Sequence, residues 1–214
     1  MKTYKVLEIE HLTESTFCLR TERPSATIKA GQCFNVGIPG AAVNREYSMY
    51  SAADAPFLEF LIKHVDGGIV SSALKKLQVG DPVEIDGPYG AFCLVEPVRQ
   101  DAEYLFLASG TGIAPFHSFV KTFPNLNYTV LHGIRHPREQ YHAKDYAAGR
   151  YIPCISKNDS DQASFRVTDY LSKHPANPKS IVYLCGNRGM IIDAFEILRT
   201  QGVPGDSLFT EVFF

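Results

Sequence analysis

Hydrophobic and polar positions along the first hundred residues come in short bursts. Tyr4–Ile9, Thr16–Thr21, Gln32–Ile38, Phe57–Val65 and Pro82–Asp86 are β-rich or apolar segments with Pro, Gly or Asp at their borders, the pattern of strands ended by turn residues. Strands this closely spaced predict a small antiparallel barrel. One helix interrupts them, over Ser71–Leu77, after the Gly67-Gly68 pair and before Val79-Gly80-Asp81.

The rhythm then changes. Tyr104–Ala108 is a continuous apolar strand followed by a helix over Pro115–Phe123, and Tyr128–His132 is a strand followed by a helix over Arg138–Ala148. Tyr151–Ile155 precedes a helix over Val167–Lys173, and Ile181–Cys185 precedes another from Arg188 to Thr200. Apolar strands alternating with helices predict a parallel sheet covered on both faces. A polar stretch at Glu96–Ala102, containing Pro97, marks the boundary. The expected fold is therefore β followed by α/β: an antiparallel β-barrel domain over 1–98, then a parallel-sheet α/β domain over 99–214.

Composition narrows the function. A chain of 214 residues, 45% hydrophobic and 21% charged, can bury a sizeable core. A net charge of −2 gives no general attraction to phosphate backbones or anionic lipid, so neither nucleic acid nor membrane is expected as a partner. The start, Met1–Glu8, interrupts its apolar residues with charge, and no long uninterrupted apolar run follows. The five cysteines, Cys18, Cys33, Cys93, Cys154 and Cys185, are dispersed without a Cys-x-x-Cys. That predicts reduced thiols in a cytoplasmic protein and excludes a plant-type iron–sulfur segment within this chain.

Two further chemistries are not supported. His132, His136 and His142 lack a His-Glu-x-x-His pattern or a thiol pair, so they read as surface or loop histidines and no metal site is expected. Ser109 and Ser118 have His117 nearby but no Gly-x-Ser-x-Gly elbow, which argues against a hydrolase.

The chemistry the sequence does carry lies in its glycine turns. Ser109-Gly110-Thr111-Gly112-Ile113-Ala114-Pro115 joins an apolar strand to a helix, where a pyrophosphate can approach backbone N–H groups at the helix N-terminus. Pro115 suits the first helical turn, where a missing N–H costs little. Taken alone the segment also fits a tight turn with no ligand. Arg45-Glu46-Tyr47-Ser48, placed between two strands, offers a guanidinium fork for phosphate, a flat ring for stacking and a hydroxyl for a ring nitrogen. It equally fits an ordinary strand edge. Gly67-Gly68-Ile69-Val70-Ser71 is a second glycine-to-helix anion site, and Gly87-Pro88-Tyr89-Gly90-Ala91-Phe92 reads as a tight turn closing the barrel.

At the adenine ribose of an NAD site, an acidic residue after the second strand typically accepts the hydroxyls. Here His132-Gly133-Ile134-Arg135 places a cation at that strand end, with Glu139 nearby as an alternative ribose partner.

Arg45-x-Tyr47-Ser48, Gly68-x-x-Ser71-x-x-Leu74, Gly87-Pro88-x-Gly90-x-Phe92, Gly110-Thr111-Gly112-x-Ala114-Pro115, Cys185-Gly186-Asn187 and the terminal Glu211-Val212-Phe213-Phe214 occur in one order. Together they resemble the ferredoxin–NADP⁺ reductase family over nearly the whole chain. The resemblance implies an FAD-binding barrel followed by a nucleotide-binding α/β domain. It also implies hydride transfer between NADPH and bound FAD, and single electrons passed to a separate ferredoxin, flavodoxin or oxygenase component. An NADH-linked reductase component of an oxygenase, and a regulatory or electron-transfer subunit of a larger complex, are the alternatives.

Residue by residue, the resemblance implies that Arg45 holds the FAD pyrophosphate, Tyr47 stacks on the isoalloxazine and Ser48 reaches flavin N5. Backbone amides of Gly68, Ile69, Val70 and Ser71 share the pyrophosphate. Gly110, Thr111 and Gly112 meet the incoming dinucleotide, and Cys185 lies near the nicotinamide. Glu211 relays a proton or caps a hydrogen-bond network, and Phe213 or Phe214 covers the flavin. Lys157, where arginine is commoner, and Arg166 resemble positions that contact a 2′-phosphate; with Arg135 they favour NADPH over NADH.

Overall fold

The computed structural model describes residues 1–157 and 164–213. The chain forms two compact units. The first holds Met1–Leu94 together with His117–Thr122, and the second holds Val95–Phe116 and the described residues from Phe123 onward.

The first unit is built on six strands: β1 (Lys2–His11), β2 (Thr16–Glu22), β3 (Cys33–Gly37), β4 (Asn44–Ser48), β5 (Phe57–Lys63) and β6 (Pro82–Tyr89). They pair antiparallel in the order β4-β3-β6-β1-β2-β5. The two outer strands meet at a bridge between Met49 and Phe60, and the Tyr50 amide donates to the Glu59 carbonyl at 2.7 Å. The sheet thus closes into the expected barrel and leaves little open edge. Phe17 and Leu19 of β2, and Leu58, Phe60 and Ile62 of β5, alternate inward and fill the core with Phe34 and Val36 of β3. In β1 the register slips between Val6 and Glu8. The extra residue turns the inward phase from Tyr4 and Val6 to Ile9, and it leaves Leu7 exposed. Helix α1 (Ile69–Leu74) lays Val70 and Leu74 on the core.

Two expectations are corrected here. Arg45–Ser48, expected between strands, lies within β4 itself. Its Asn-Arg-Glu positions face solvent on an end strand, so no apolar alternation announces it. The Gly87-Pro88 segment is not the closing turn. Strand β6 runs through it to Tyr89, and the register against β3 slips between Cys33 and Asn35 to absorb the extra residue. The strand ends at Tyr89, and Gly90 follows it at φ 84.

The second unit contains a parallel sheet of β7 (Tyr104–Ser109), β8 (Tyr128–Ile134), β9 (Tyr151–Ile155), β10 (Ile181–Gly186) and β11 (Leu208–Val212), ordered β11-β10-β7-β8-β9. Helices α3 (Val167–Lys173) and α4 (Arg188–Thr200) cover one face through Val167, Leu171, Ile191, Ala194 and Leu198, which pack on Leu105, Leu107, Leu131, Val182 and Leu184. The side chains between them point to the other face. There Phe106 stacks on Phe116 at 4.9 Å and meets the Tyr183 ring edge-on at 6.0 Å. Phe116 belongs to α2 (Ala114–Thr122), whose later residues, His117–Thr122, belong to the first unit.

The helix expected over Arg138–Ala148 is absent. Two 3-10 turns stand there, Pro137–Glu139 and Ala143–Asp145. His142 between them is left-handed, at φ 44, which a continuous right-handed helix cannot include. The segment buries Tyr141 and Tyr146, a spacing of five that fits no single helix face.

Candidate functional site

In the first unit, β4 emerges progressively from the barrel wall: Arg45 is exposed, Tyr47 half-buried and Ser48 buried. Arg45 and Tyr47, two residues apart on a strand, share a face. Burial pushes the Tyr47 hydroxyl up to about 12, and the Arg45 charge opposes the shift; the phenol stays neutral. The Arg45 side chain donates to the neighbouring Asn44 carbonyl at 2.8 Å.

The loop from His64 to Ser71 folds back on itself. The Gly68 amide donates to the Val65 carbonyl at 2.9 Å, and the Val65 amide donates to Ser71 Oγ at 3.1 Å. A side chain at Gly68 would stand 2.9 Å from both Ser71 Oγ and the Val65 carbonyl oxygen. No side chain caps the N-terminus of α1, so its first amides remain donors for an anion. The glycine loop with its uncapped turn, and the exposed Arg45 on β4, each offer donors suited to an anion.

In the second unit the site is set by strand order. The chain runs β7, β8, β9 outward to one side, then returns to place β10 and β11 on the other. The switch point therefore lies between the carboxyl ends of β7 and β10, where open α/β sheets bind ligands. Gly110, at φ 55, has open space where a side chain would point. Gly112 has none: a Cβ there would stand 2.5 Å from the Cys185 carbonyl oxygen. Gly186, at φ 121, is held just as closely, since a Cβ would meet Ser109 Oγ at 2.4 Å. The Asn187 amide donates to Ser109 Oγ at 2.7 Å, and the Asn187 side chain caps α4 by accepting from the amides of Gly189 and Met190. These contacts pack the Ser109–Gly112 turn against Cys185-Gly186-Asn187.

Cys185 is buried, and its register partner on β11 is Glu211. Sγ lies 3.9 Å from Glu211 Oε2. Burial first, then the Glu211 charge and hydrogen bond, raise the thiol well above its ordinary range, so it is a neutral S–H at neutral pH. The Phe213 amide donates to the Gly186 carbonyl at 2.9 Å and its ring is half-buried. Phe214 lies outside the described residues.

The three cations come to one region. The Lys157 amide donates to the Arg135 carbonyl at 2.9 Å, and the Phe165 amide to the Ile155 carbonyl at 2.9 Å, which sets Arg166 at the start of α3 beside the ends of β8 and β9. All three side chains are exposed. Among the described residues none has an ion-pair partner. Glu139 is already engaged, since its Oε2 accepts from the amides of Arg135 at 2.7 Å and His136 at 3.3 Å.

One expectation is reversed in this unit. His132 is neither a surface nor a loop histidine; it is fully buried within β8. Its Nε2 lies 2.8 Å from the Gly110 carbonyl oxygen and its Nδ1 lies 2.7 Å from the Tyr151 hydroxyl. Its signal in the sequence was a titratable residue inside a strand otherwise without charge, legible only once β8 is paired with β9.

The oxidoreductase FAD-binding domain family matches residues 4–93 and the oxidoreductase NAD-binding domain family residues 106–195. The fold and these two domains define a flavoprotein oxidoreductase, and the chain belongs to the ferredoxin–NADP⁺ reductase family. It is 31% identical to the toluate 1,2-dioxygenase electron transfer component of Pseudomonas putida, over 97% of this chain and 66% of that protein. It is 28% identical to the flavodoxin/ferredoxin–NADP reductase of Escherichia coli K12, over 94% of this chain and 79% of that one. The ferredoxin NADP⁺ reductase of Neisseria gonorrhoeae, solved with bound FAD and NADP, shares the fold with a TM-score of 0.83 at 24% identity, covering 100% of this chain and 98% of that one. The chain spans between 59% and 66% of the length of the dioxygenase component and of three propane 2-monooxygenase reductase components it matches. Among the described residues no helix is long and apolar enough to cross a membrane.

Proposed function

We propose that this chain is a reductase that transfers a hydride between NADPH and bound FAD and delivers single electrons to a separate carrier, a ferredoxin, a flavodoxin or an oxygenase component. The flavin domain spans residues 1–98 and the nucleotide domain 99–214. The observation that carries the reading is the carboxyl edge of the second sheet, where Gly112 backs directly onto Cys185 and Glu211 stands opposite. A dinucleotide lying over the glycine turn would thereby meet a neutral thiol and a carboxylate at the end nearest β10.

When bound, FAD supplies a two-electron acceptor that can release its electrons one at a time. The protein's own part is placement and charge. Arg45 and the amides of Gly68, Ile69, Val70 and Ser71 hold the flavin diphosphate. Tyr47 packs on the ring, and the Ser48 hydroxyl donates toward N5. Gly110, Thr111 and Gly112 hold the dinucleotide pyrophosphate. Cys185, being uncharged, lines the nicotinamide position without attracting a counter-ion, and Glu211 holds a proton path to it. Phe213 or Phe214 covers the flavin. Arg135, Lys157 and Arg166 meet the 2′-phosphate, and the exposure of three cations at the ends of β8 and β9 supports NADPH. The five dispersed cysteines, with no Cys-x-x-Cys, support a cytoplasmic location.

A second reading, an NADH-linked reductase component of an oxygenase, draws support for its oxygenase partner from a dioxygenase electron transfer component and a monooxygenase reductase component, each 31% identical to this chain. The test is an acceptor assay on the FAD-loaded protein, with ferredoxin and flavodoxin supplied in turn under NADPH or NADH. NADPH-dependent reduction of either carrier supports the proposal. Turnover confined to NADH supports the second reading, and a protein that retains no flavin sinks both.

A further inference from the structure

Beneath the glycine turn lies a buried polar chain that the cofactor roles leave unused. Gly110, His132 and Tyr151 belong to the same unit. His132 is completely buried, in contact with the rings of Tyr141 at 5.9 Å and Tyr151 at 5.8 Å. Burial lowers its pKa from 6.5 to about 4, so the ring is neutral under ordinary conditions and carries one N–H.

The partners decide where that hydrogen sits. A carbonyl oxygen only accepts, so Nε2, 2.8 Å from the Gly110 oxygen, must carry it. Nδ1 is then a lone pair, and the Tyr151 hydroxyl at 2.7 Å must donate to it. Burial also raises the Tyr151 hydroxyl above its ordinary range, which keeps that donor protonated. The direction of both bonds is thereby fixed, from Tyr151 through His132 to Gly110.

The Gly110 carbonyl shares a planar peptide with the Thr111 amide. In a trans peptide the C=O and N–H point opposite ways. Anchoring the carbonyl inward on His132 therefore turns the Thr111 N–H outward. That amide opens the 3-10 turn Gly110–Ile113, where it has no partner within the turn. Gly110 itself is at φ 55 with nothing packed over its Cα, so local contacts would let this peptide rotate. The buried chain removes that freedom.

We infer that His132 and Tyr151 are positioning residues for dinucleotide binding: they lock the Gly110–Thr111 peptide so that its amide is presented to the pyrophosphate of a nicotinamide dinucleotide. The inference rests on the reading of Gly110–Gly112 as the dinucleotide loop.

The test measures NADP⁺ binding to the FAD-loaded protein by calorimetry, with flavin content and kcat recorded alongside. His132→Phe fills the space and removes the donor; Tyr151→Phe removes one hydroxyl and keeps the ring. His132→Gln keeps an N–H near the position of Nε2. Loss of a buried, oriented hydrogen bond predicts about tenfold weaker NADP⁺ binding in His132→Phe and about fivefold in Tyr151→Phe. The KM for NADPH should rise in parallel, kcat should change less than twofold, and flavin content should hold. His132→Gln should bind within about threefold of the parent. Should His132→Phe not fold, Tyr151→Phe and His132→Gln decide. Parent-like affinity in Tyr151→Phe, or equal weakening in His132→Gln and His132→Phe, overturns the inference while leaving the reductase in place. A parent protein that binds neither NADP⁺ nor NAD⁺ overturns the reductase reading and this inference with it.

Discussion

Cys185 and Glu211 face each other across β10 and β11, with Sγ 3.9 Å from Oε2. Burial first, and the carboxylate after it, keep the thiol protonated. The side chain at Cys185 is thus a small, neutral, polarizable surface at the carboxyl edge of the sheet.

From this placement, Cys185→Ala should slow stopped-flow reduction of the flavin by NADPH about 10- to 100-fold through misplacement of the nicotinamide, with little change in FAD affinity. Ser48→Ala in the flavin unit should act in the same sense. Unchanged reduction rates in both variants would contradict the proposed hydride site.

Gly112→Ala tests how tightly the glycine turn is fitted. Its Cβ would stand 2.5 Å from the Cys185 carbonyl oxygen, a backbone atom that cannot swing aside. Overpacking of this kind costs about 1–3 kcal/mol, to be read as a lowered urea midpoint. Affinity for NADP⁺ should fall as well, because the turn must shift to relieve the contact. A parent-like midpoint would show that the turn and β10 are not in contact.

The secondary structure was legible where one local pattern dominated. Helices α3 and α4 begin and end where the apolar spacing places them, at Val167–Lys173 and Arg188–Thr200. The barrel strands with apolar alternation were equally plain. Strand β4 was not, because three of its five residues face solvent on an end strand. The segment 138–148 misled because its charged and tyrosine residues tolerate a helix, while tertiary burial of Tyr141 and Tyr146 selects turns. The motif residues could be placed in order along the chain, but their partners could not. The facing of Cys185 and Glu211, and the bond from His132 to Gly110, depend on strand order and register, which are long-range properties.

Selectivity for the 2′-phosphate should rest on Arg135, Lys157 and Arg166. Arg135→Ala should raise the KM for NADPH about tenfold, the loss of one charge-assisted contact, and leave the KM for NADH unchanged. The Lys157→Ala and Arg135→Ala double variant should approach equal use of both. Equal effects on both dinucleotides in the single variant would remove Arg135 from this role.

Acid stability should report on His132. Its folded pKa of about 4 lies below the ordinary 6.5, so the unfolded chain binds the extra proton first as pH falls. Stability is therefore full above 6.5 and declines as pH drops toward about 4, by about 3 kcal/mol over the interval. Urea unfolding across that range should show a shallower slope in His132→Gln than in the parent. Parallel slopes would mean that His132 is not buried as a neutral ring.

Flavin retention should depend on Arg45. It is exposed and spends its side chain on a neighbouring carbonyl, so Arg45→Ala should weaken FAD binding about tenfold without lowering the thermal midpoint of the flavin-free protein. A flavin-free midpoint that falls in step with the affinity would assign Arg45 a structural role instead.

The most direct measurement is an anaerobic absorption spectrum of the FAD-loaded protein before and after NADPH, and separately NADH. Flavin bands that bleach quickly with NADPH and slowly with NADH are the predicted result. Flavin that neither dinucleotide bleaches, or a protein that stays colourless after incubation with FAD, would contradict hydride transfer by this chain.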